Sequence, residues 1–94
     1  MRVRWLRRAL KALVSAHDLI AKDNPEAARR FFQHALASVE QLVHHPERGR
    51  AGRVPGTREL VLLNYPYVIP YRVKGGELQI LHVFHTARAW PQTF

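Results

Sequence analysis

Three β-prone runs in the second half of the chain are joined by segments that are too short for anything except hairpins. The runs are TRELVLLN, YPYVIPYRV and ELQILHVFH, between residues 57 and 85. Turn signals separate them at Asn64 to Pro66 and at Lys74 to Gly76. Connections of this length join neighbouring antiparallel strands. The chain therefore predicts a three-stranded meander, which an extended start at Val3 to Trp5 can widen to four strands.

The residues before these strands predict a helical hairpin, because apolar residues recur at helical spacing in two stretches. The first stripe is Leu6, Ala9, Leu10, Leu13, Val14, His17 and Ile20, and the second is Ala28, Phe32, Ala35, Leu36, Val39, Leu42 and Val43. Between them Asn24 can cap the second helix, with Pro25 in its first turn. The short connection makes the two helices antiparallel. A glycine-rich and arginine-rich loop is expected from His44 to Thr57.

These elements define one domain, residues 1–94, of the α+β class. The predicted order is β-α-α-β-β-β, with the N-terminal strand and the helical hairpin packed on a bent antiparallel sheet of three or four strands. No run approaches the ~20 apolar residues that a membrane-spanning helix needs. The chain has no cysteine, which excludes disulfides and thiolate metal sites and fits the reducing cytoplasm.

The charge of the chain predicts an anionic partner. Fifteen Lys and Arg residues face seven Asp and Glu residues, which gives a formal net charge of +8. Twelve of the fifteen cations are arginine, and the planar guanidinium suits two-pronged contact with carboxylate or phosphate. Nucleic acid and acidic protein segments both meet this description.

The alternation of side chains sorts the last hairpin into two faces. A two-residue turn at Gly75 and Gly76 places Arg72 opposite Gln79. One face is apolar and is expected to receive the helices: Tyr67, Ile69, Tyr71, Val73, Leu78, Ile80, His82 and Phe84. The other is mixed and open to a partner: Val68, Pro70, Arg72, Lys74, Glu77, Gln79, Leu81, Val83 and His85. Since Pro70 cannot donate to a ladder, a bulge or an edge is expected there, with a bend in the strand.

Three segments in this order resemble the RelE/ParE superfamily of type II toxins. They are NPEAARRFFQHAL, GRAGRVPGTRELVLLNYPYVIPYRV and LQILHVFHTARAWP, and the similarity extends from about Val3 to Pro91. The resemblance implies the same β-α-α-β-β-β order. It also implies a bacterial growth-arresting protein that a co-expressed antitoxin, often with an acidic segment, holds inactive in a hetero-oligomer. One departure is that Leu6, Arg7 and Arg8 follow Trp5, where the family commonly has a Ser or Thr helix cap.

The superfamily contains ribosome-dependent mRNA endonucleases and inhibitors of DNA gyrase without catalytic chemistry. Glu59, Arg72 and His85 resemble the acid–base and cation positions of one nuclease type. If Tyr65 and Pro66 close the first hairpin, Glu59 lies opposite Arg72, and His85 lies roughly 20 Å from them at ~3.3 Å per residue. A general acid and a general base must reach one phosphate. The register therefore favours a Glu59–Arg72 ion pair and a binder without catalytic residues. No cofactor is expected.

The residues expected to bind the target or the antitoxin are Arg50, Arg53, Arg58, Arg72, His85, Arg88 and Trp90. His44 and His45 are too close in sequence to chelate one metal ion well, so no metal site is expected. DNA gyrase is the preferred target and the ribosome is the alternative. A third alternative is a small basic DNA-binding regulator, but the apolar stripe of the second helix suits packing better than insertion into a groove.

Overall fold

The computed structural model describes residues 1–87, which form two helices and six strands. The elements in chain order are β1 (Arg2–Trp5), α1 (Arg7–Ala21), α2 (Pro25–Leu42), β2 (Arg50–Ala51), β3 (Arg58–Val61), β4 (Tyr67–Lys74), β5 (Glu77–Ile80) and β6 (Phe84–His85). Arg88 and Trp90 lie outside the described residues. Within residues 1–87, neither helix has the length and apolar character to cross a membrane.

All six strands belong to one sheet, in the order β1-β5-β4-β3-β2, with β6 also paired to β4. The predicted meander is confirmed, since β3, β4 and β5 are antiparallel neighbours. The predicted N-terminal strand is confirmed as well, and β1 runs parallel to β5. The structure adds a two-residue strand, β2, inside the segment expected to be loop, and β2 pairs with β3.

The helical hairpin forms as its capping residues predict. The side chain of Asn24 accepts a hydrogen bond from the backbone N–H of Ala27 at 3.1 Å, and Pro25 occupies the first turn of α2. At the start of α1, Leu6 provides no side-chain cap. Its backbone N–H instead donates to the carbonyl oxygen of Ile80 at 3.0 Å. Its carbonyl oxygen accepts from the N–H groups of Ala9 and Leu10 at 2.9 and 3.0 Å, so Leu6 links the sheet to the first turn of α1.

The core lies between the helical hairpin and one face of the sheet, called the inner face below. Helix α1 buries Ala9, Leu13 and Ala16, and α2 buries Ala28, Phe31, Ala35, Val39 and Leu42. From the sheet the cluster includes Leu60, Leu62, Tyr67, Ile69, Tyr71, Leu78, Ile80 and Val83. The prediction was wrong for the edges of both stripes: Leu10, Val14 and Leu36 are exposed, and Val73 is 51% exposed at the end of its hairpin.

Adjacent phenylalanines explain the error in α2. Phe31 is fully buried and Phe32 is half-buried. Neighbouring helix positions differ by about 100° around the axis, and an apolar stripe is itself about that wide. Periodicity therefore allows either ring to point at the sheet. Phe31 is selected because its ring contacts those of Tyr65 and Tyr67 at centroid distances of 5.3 and 5.1 Å.

Pro70 interrupts the ladder as predicted. The N–H of Leu81 donates to the carbonyl oxygen of Pro70 at 2.9 Å, but Pro70 has no N–H to return, and β5 ends at Ile80. Before the break, Tyr71 lies opposite Ile80; after it, Tyr67 lies opposite His85. A regular ladder would have placed residue 84 opposite Tyr67. The segment between Ile80 and His85 thus contains one residue more than the facing part of β4. This extra residue places the side chain of His85 on the inner face instead of the predicted mixed face.

The first hairpin has a different register from the one predicted. Glu59 lies opposite Pro70, not opposite Arg72. The connection is longer than a two-residue turn, because the N–H of Leu62 donates to the carbonyl oxygen of Tyr67. Asn64 adopts φ 69°, a left-handed conformation that asparagine tolerates better than most residues. The shift of two residues keeps every side chain on its predicted face but changes the partner of Glu59.

Candidate functional site

A buried glutamate organises the arginines beside β2. Glu59 is 3% exposed. One carboxylate oxygen accepts from Nε of Arg50 at 3.0 Å and lies 3.0 Å from its Nη2. The other accepts from the backbone N–H of Arg53 at 3.0 Å and lies 3.7 Å from Nε of that residue. The predicted Glu59–Arg72 ion pair was therefore wrong, and Arg50 and Arg53 are the partners of this carboxylate.

Arg72 belongs to a second polar network on β4, β5 and β1. Its Nε donates to the side-chain oxygen of Gln79 at 2.7 Å, as the predicted pairing of these two residues allows. Gln79 in turn donates to Glu77 at 3.1 Å, and Arg2 and Arg4 approach Glu77 at 3.4 and 3.8 Å. The hydrogen bond from Gln79, followed by that from Arg2, lowers the pKa of Glu77.

The face of the sheet away from the helices, called the outer face, carries the positive charge. Among residues 1–87, it presents six cations and two carboxylates. The cations are Arg2, Arg4, Arg50, Arg53, Arg72 and Lys74, and the carboxylates are Glu59 and Glu77. The face is less open than predicted, because Val68, Pro70 and Leu81 at its centre are buried. Accessible charge is therefore concentrated at the two ends of the outer face.

Glu59 and His85 do not share a pocket. Glu59 lies opposite Pro70 on the outer face, whereas His85 lies opposite Tyr67 and contacts its ring edge-on at 5.2 Å on the inner face. Three residues along β4 and two strand spacings separate them, roughly 14 Å between Cα atoms. The two residues are separated as predicted, but by less than the roughly 20 Å expected. The predicted cause was also wrong, because the shifted register and the bulge at Pro70 place the two side chains on opposite faces.

Arg58 holds the loop before β2. It lies on β3 opposite Tyr71, and its Nη1 donates to the carbonyl oxygens of Glu47 and Gly49 at 3.1 and 2.9 Å. The hydroxyl of Tyr71 donates to the carbonyl oxygen of Pro46 at 2.6 Å and accepts from the N–H of Gly49 at 2.8 Å. A Cβ on Gly49 would come within 2.6 Å of the Tyr71 ring. The loop is therefore fastened to the core rather than only solvated.

A cavity of about 600 Å³ lies between α1 and the segment from His82 to His85. Its polar lining includes Ser15, Asp18, Lys22, His82 and His85. Nδ1 of His85 accepts from the N–H of Ala87 at 3.1 Å, so the neutral ring carries its proton on Nε2. Burial lowers the pKa of His82.

Acid should weaken the fold through His82. Because the folded-state pKa lies below the ordinary histidine value of 6.5, the stabilisation is complete above about pH 6.5 and is lost as the pH falls through the folded-state pKa. The lowered pKa of Glu77 affects stability only in a more acidic range, below the ordinary glutamate value of 4.5. We expect His82→Phe, which keeps a ring against Phe84, to make the free energy of unfolding depend less on pH between neutral pH and pH 5. Urea denaturation at several pH values measures this dependence. A His45→Gln control should keep the wild-type slope, and an unchanged slope in His82→Phe would contradict this assignment.

No metal centre is evident within residues 1–87, where no group of three or more His, Asp or Glu side chains could hold an ion.

The sequence did not predict two features of the site: the Glu59–Arg50–Arg53 cluster and the contacts of the Tyr71 hydroxyl. The first requires the true register of β3. The second has no local signal, since Tyr71 and Pro46 are 25 residues apart.

The architecture and the arginine-lined outer face define a small basic α+β protein suited to binding an anionic partner. Comparison with known proteins identifies which family of small basic proteins the chain resembles. Residues 3–90 match the sequence model of the ParE toxin of the type II toxin-antitoxin system parDE. The solved structure described as the chromosomal ParDE TA system from P. aeruginosa superposes with a TM-score of 0.83 and 34% sequence identity, covering 90% of this chain and 95% of that chain.

Two relatives agree with this match. The chain is 44% identical over 91 residues to "Putative toxin Y4kP" of Sinorhizobium fredii, covering 97% of this chain and 94% of the relative. It is 38% identical over 84 residues to "Toxin RelE2" of Caulobacter vibrioides, covering 89% and 93%. The chain belongs to the ParE toxin family, whose members are the toxins of type II toxin-antitoxin systems. The predicted RelE/ParE resemblance is confirmed.

Proposed function

We propose that this toxin arrests growth in the cytoplasm by binding DNA gyrase, without cutting RNA, and that a cognate antitoxin neutralises it in a hetero-oligomer. The gyrase preference is supported by the match to the ParE family. The relative named RelE2 supplies the reason to test the ribosome as the alternative target.

The observation that carries this proposal is the separation of Glu59 and His85. Cleavage of RNA needs a group that accepts the 2′-hydroxyl proton, a group that protonates the leaving oxygen, and a cation at the same phosphate. The two side chains lie on opposite faces of the sheet. Both oxygens of Glu59 are also occupied by donors from Arg50 and Arg53. Glu59 and His85 therefore resemble nuclease residues in type, but they are not arranged to act on one phosphate.

The remaining predicted site residues are proposed as binding residues. Arg50, Arg53 and Arg72 lie on the outer face, and Arg58 supports the loop behind them. A regulator that reads DNA through α2 is disfavoured, because α2 buries five side chains against the core. Arg88 and Trp90, outside the described residues, stay proposed as contacts with the target or the antitoxin.

The decisive experiment compares two targets with the same purified protein. Relaxed plasmid with DNA gyrase and ATP reports supercoiling, and programmed ribosomes with message report cleavage. We expect concentration-dependent loss of supercoiling and intact message. Message cut in the ribosomal A site, with supercoiling unaffected, would overturn the proposal. Gel shifts by the toxin alone that weaken with salt would instead favour direct DNA binding.

His85→Ala tests the absence of chemistry separately. General acid–base catalysis contributes about 10²–10⁴ in rate, so a catalytic His85 would lose toxicity by a factor of this size. We expect toxicity in an expression assay to change by only a few-fold, with folding checked by circular dichroism. A loss of about 10³ in a folded variant would show that His85 takes part in a reaction.

A further inference from the structure

The buried carboxylate of Glu59 sets the relative positions of two arginines that remain accessible. The side chains of Arg50 and Arg53 are 55% and 53% exposed, whereas that of Glu59 is 3% exposed. One carboxylate therefore lies beneath two guanidinium groups. Each guanidinium has five N–H donors in a planar fork. The contacts between Arg50 and Glu59 use Nε and Nη2, so Nη1 and the outer side of the fork can meet a second carboxylate.

The loop that carries Arg53 is closed by its own hydrogen bonds. The N–H of Gly52 donates to the carbonyl oxygen of Thr57 at 2.9 Å, and the Thr57 hydroxyl donates to the carbonyl oxygen of Val54 at 2.7 Å. A Cβ on Gly52 would come within 2.8 Å of the carbonyl oxygen of Thr57. With Glu59 bound to the N–H of Arg53, the loop offers a rigid surface, and rigidity reduces the entropy lost on binding.

The strand next to these arginines favours a peptide over nucleic acid. Among residues 1–87, β2 ends the strand order of the sheet, and both of its residues, Arg50 and Ala51, are exposed. An edge strand can pair with an extended peptide through backbone hydrogen bonds. The affinity for a phosphate backbone instead grows with the number of phosphates that Lys and Arg side chains neutralise, and successive phosphates are best met by cations in a row. Arg58 points to the carbonyl oxygens of the preceding loop, which shortens such a row.

We propose that Arg50 and Arg53 form a receptor for carboxylate side chains of an extended acidic peptide lying along β2, and that Glu59 is its positioning residue. The antitoxin is the natural carrier of such a peptide, and in that respect the inference deepens the proposed function. Glu59 thus acts through Arg50 and Arg53 and does not touch the partner.

A positioning role for Glu59 and simple electrostatics predict opposite changes in anion affinity when the charge of Glu59 is removed. Removing a negative charge beside a site for anions should strengthen anion binding. If Glu59 positions the arginines, Glu59→Gln should weaken it instead. Glu77→Gln is the matched control, because Glu77 also bridges two arginines, Arg2 and Arg4, on the same face. Both substitutions raise the net charge by one.

The probe is a fluorescein-labelled peptide of alternating glutamate and serine, measured by fluorescence anisotropy with the full chain. We expect Glu59→Gln to bind it roughly tenfold more weakly than wild type, since charge-assisted paired contacts depend on geometry. Glu77→Gln should bind as tightly as wild type or more tightly. If Glu59→Gln binds as tightly as Glu77→Gln, Glu59 has no positioning role and the proposal is overturned.

A second pair of variants decides the case in which Glu59→Gln does not fold. Arg50→Lys and Arg53→Lys keep the charge at exposed positions but remove the planar fork. We expect each to lose about fivefold or more in peptide affinity, with an unchanged circular dichroism spectrum; unchanged affinity in both would overturn the proposal.

A labelled single-stranded oligonucleotide tests the other class of partner. If wild type binds it more tightly than the peptide at equal salt, with the same sensitivity to Arg50→Lys, the peptide assignment is wrong. None of these measurements uses gyrase or ribosomes, so failure of the receptor can be told apart from failure of the proposed target.

Discussion

A Phe31→Ala variant should lose about 3–5 kcal/mol of unfolding free energy, the usual cost of removing a fully buried phenylalanine. Phe31 is 0% exposed and joins α2 to the aromatic side chains at the start of β4. A domain of 94 residues has a total stability of about 5–14 kcal/mol at 0.05–0.15 kcal/mol per residue. The substitution therefore removes about a fifth of the total or more. Urea denaturation followed by circular dichroism measures the loss.

Phe32→Ala is the matched control, because it removes the same side chain from the next position of the same helix. Phe32 is only half-buried and lies beside His17 at a ring distance of 5.9 Å. We expect its cost to be about half that of Phe31→Ala or less, since less surface is buried. Equal costs for the two variants would mean that the orientation of α2 on the sheet is wrong.

The two phenylalanines show which part of the fold the sequence does not determine by its pattern alone, namely the rotation of each helix about its axis. The order of elements followed from periodicity and turn residues, because helical and strand patterns differ strongly in period. The rotation of each helix did not follow, because α1 and α2 carry apolar residues beyond their buried stripes. Leu10 and Val14 are 45% and 48% exposed although their spacing fits the first stripe. Only the shape of the sheet selects the stripe that is buried.

The site was predictable in its residue types but not in its pairings. Gly75 and Gly76, both at positive φ, fixed the register of β4 and β5, so the contact between Arg72 and Gln79 could be anticipated. In the β3–β4 connection the turn signal at Asn64 to Pro66 does not fix the length of the loop, and a two-residue error assigned Glu59 to the wrong arginine. A single proline, Pro70, then moved His85 to the other face.

These pairings change what the polar residues can do. A Glu59 beside Arg72 would have been an ordinary cross-strand pair. The observed Glu59 instead lies beneath the exposed Arg50 and Arg53 at the edge of the sheet, where its burial positions cations that a partner can reach. The same residue in the same strand thus has different neighbours from those predicted, because the register decides which side chains lie beside it.

Tyr71→Phe should destabilise the protein by about 1–3 kcal/mol, because it leaves buried polar groups without a partner. The hydroxyl serves both the N–H of Gly49 and the carbonyl oxygen of Pro46. Gly49 is buried, so water cannot easily replace the hydroxyl. The lost contacts fasten the segment that leads into β2. Amide hydrogen exchange should therefore rise first between residues 46 and 51.

The same variant changes the response to alkali. Burial raises the pKa of Tyr71 above the ordinary tyrosine value of 10.0. The unfolded chain therefore releases this proton at a lower pH than the folded protein, and the stabilisation, complete below pH 10, is lost as the pH rises through the folded-state pKa. Tyr71→Phe has no such proton, so its stability should fall less steeply above pH 10. Tyr65→Phe, a hydroxyl deletion at a half-buried position, should retain the wild-type slope, and a wild-type slope in Tyr71→Phe would place the alkaline transition elsewhere in the molecule.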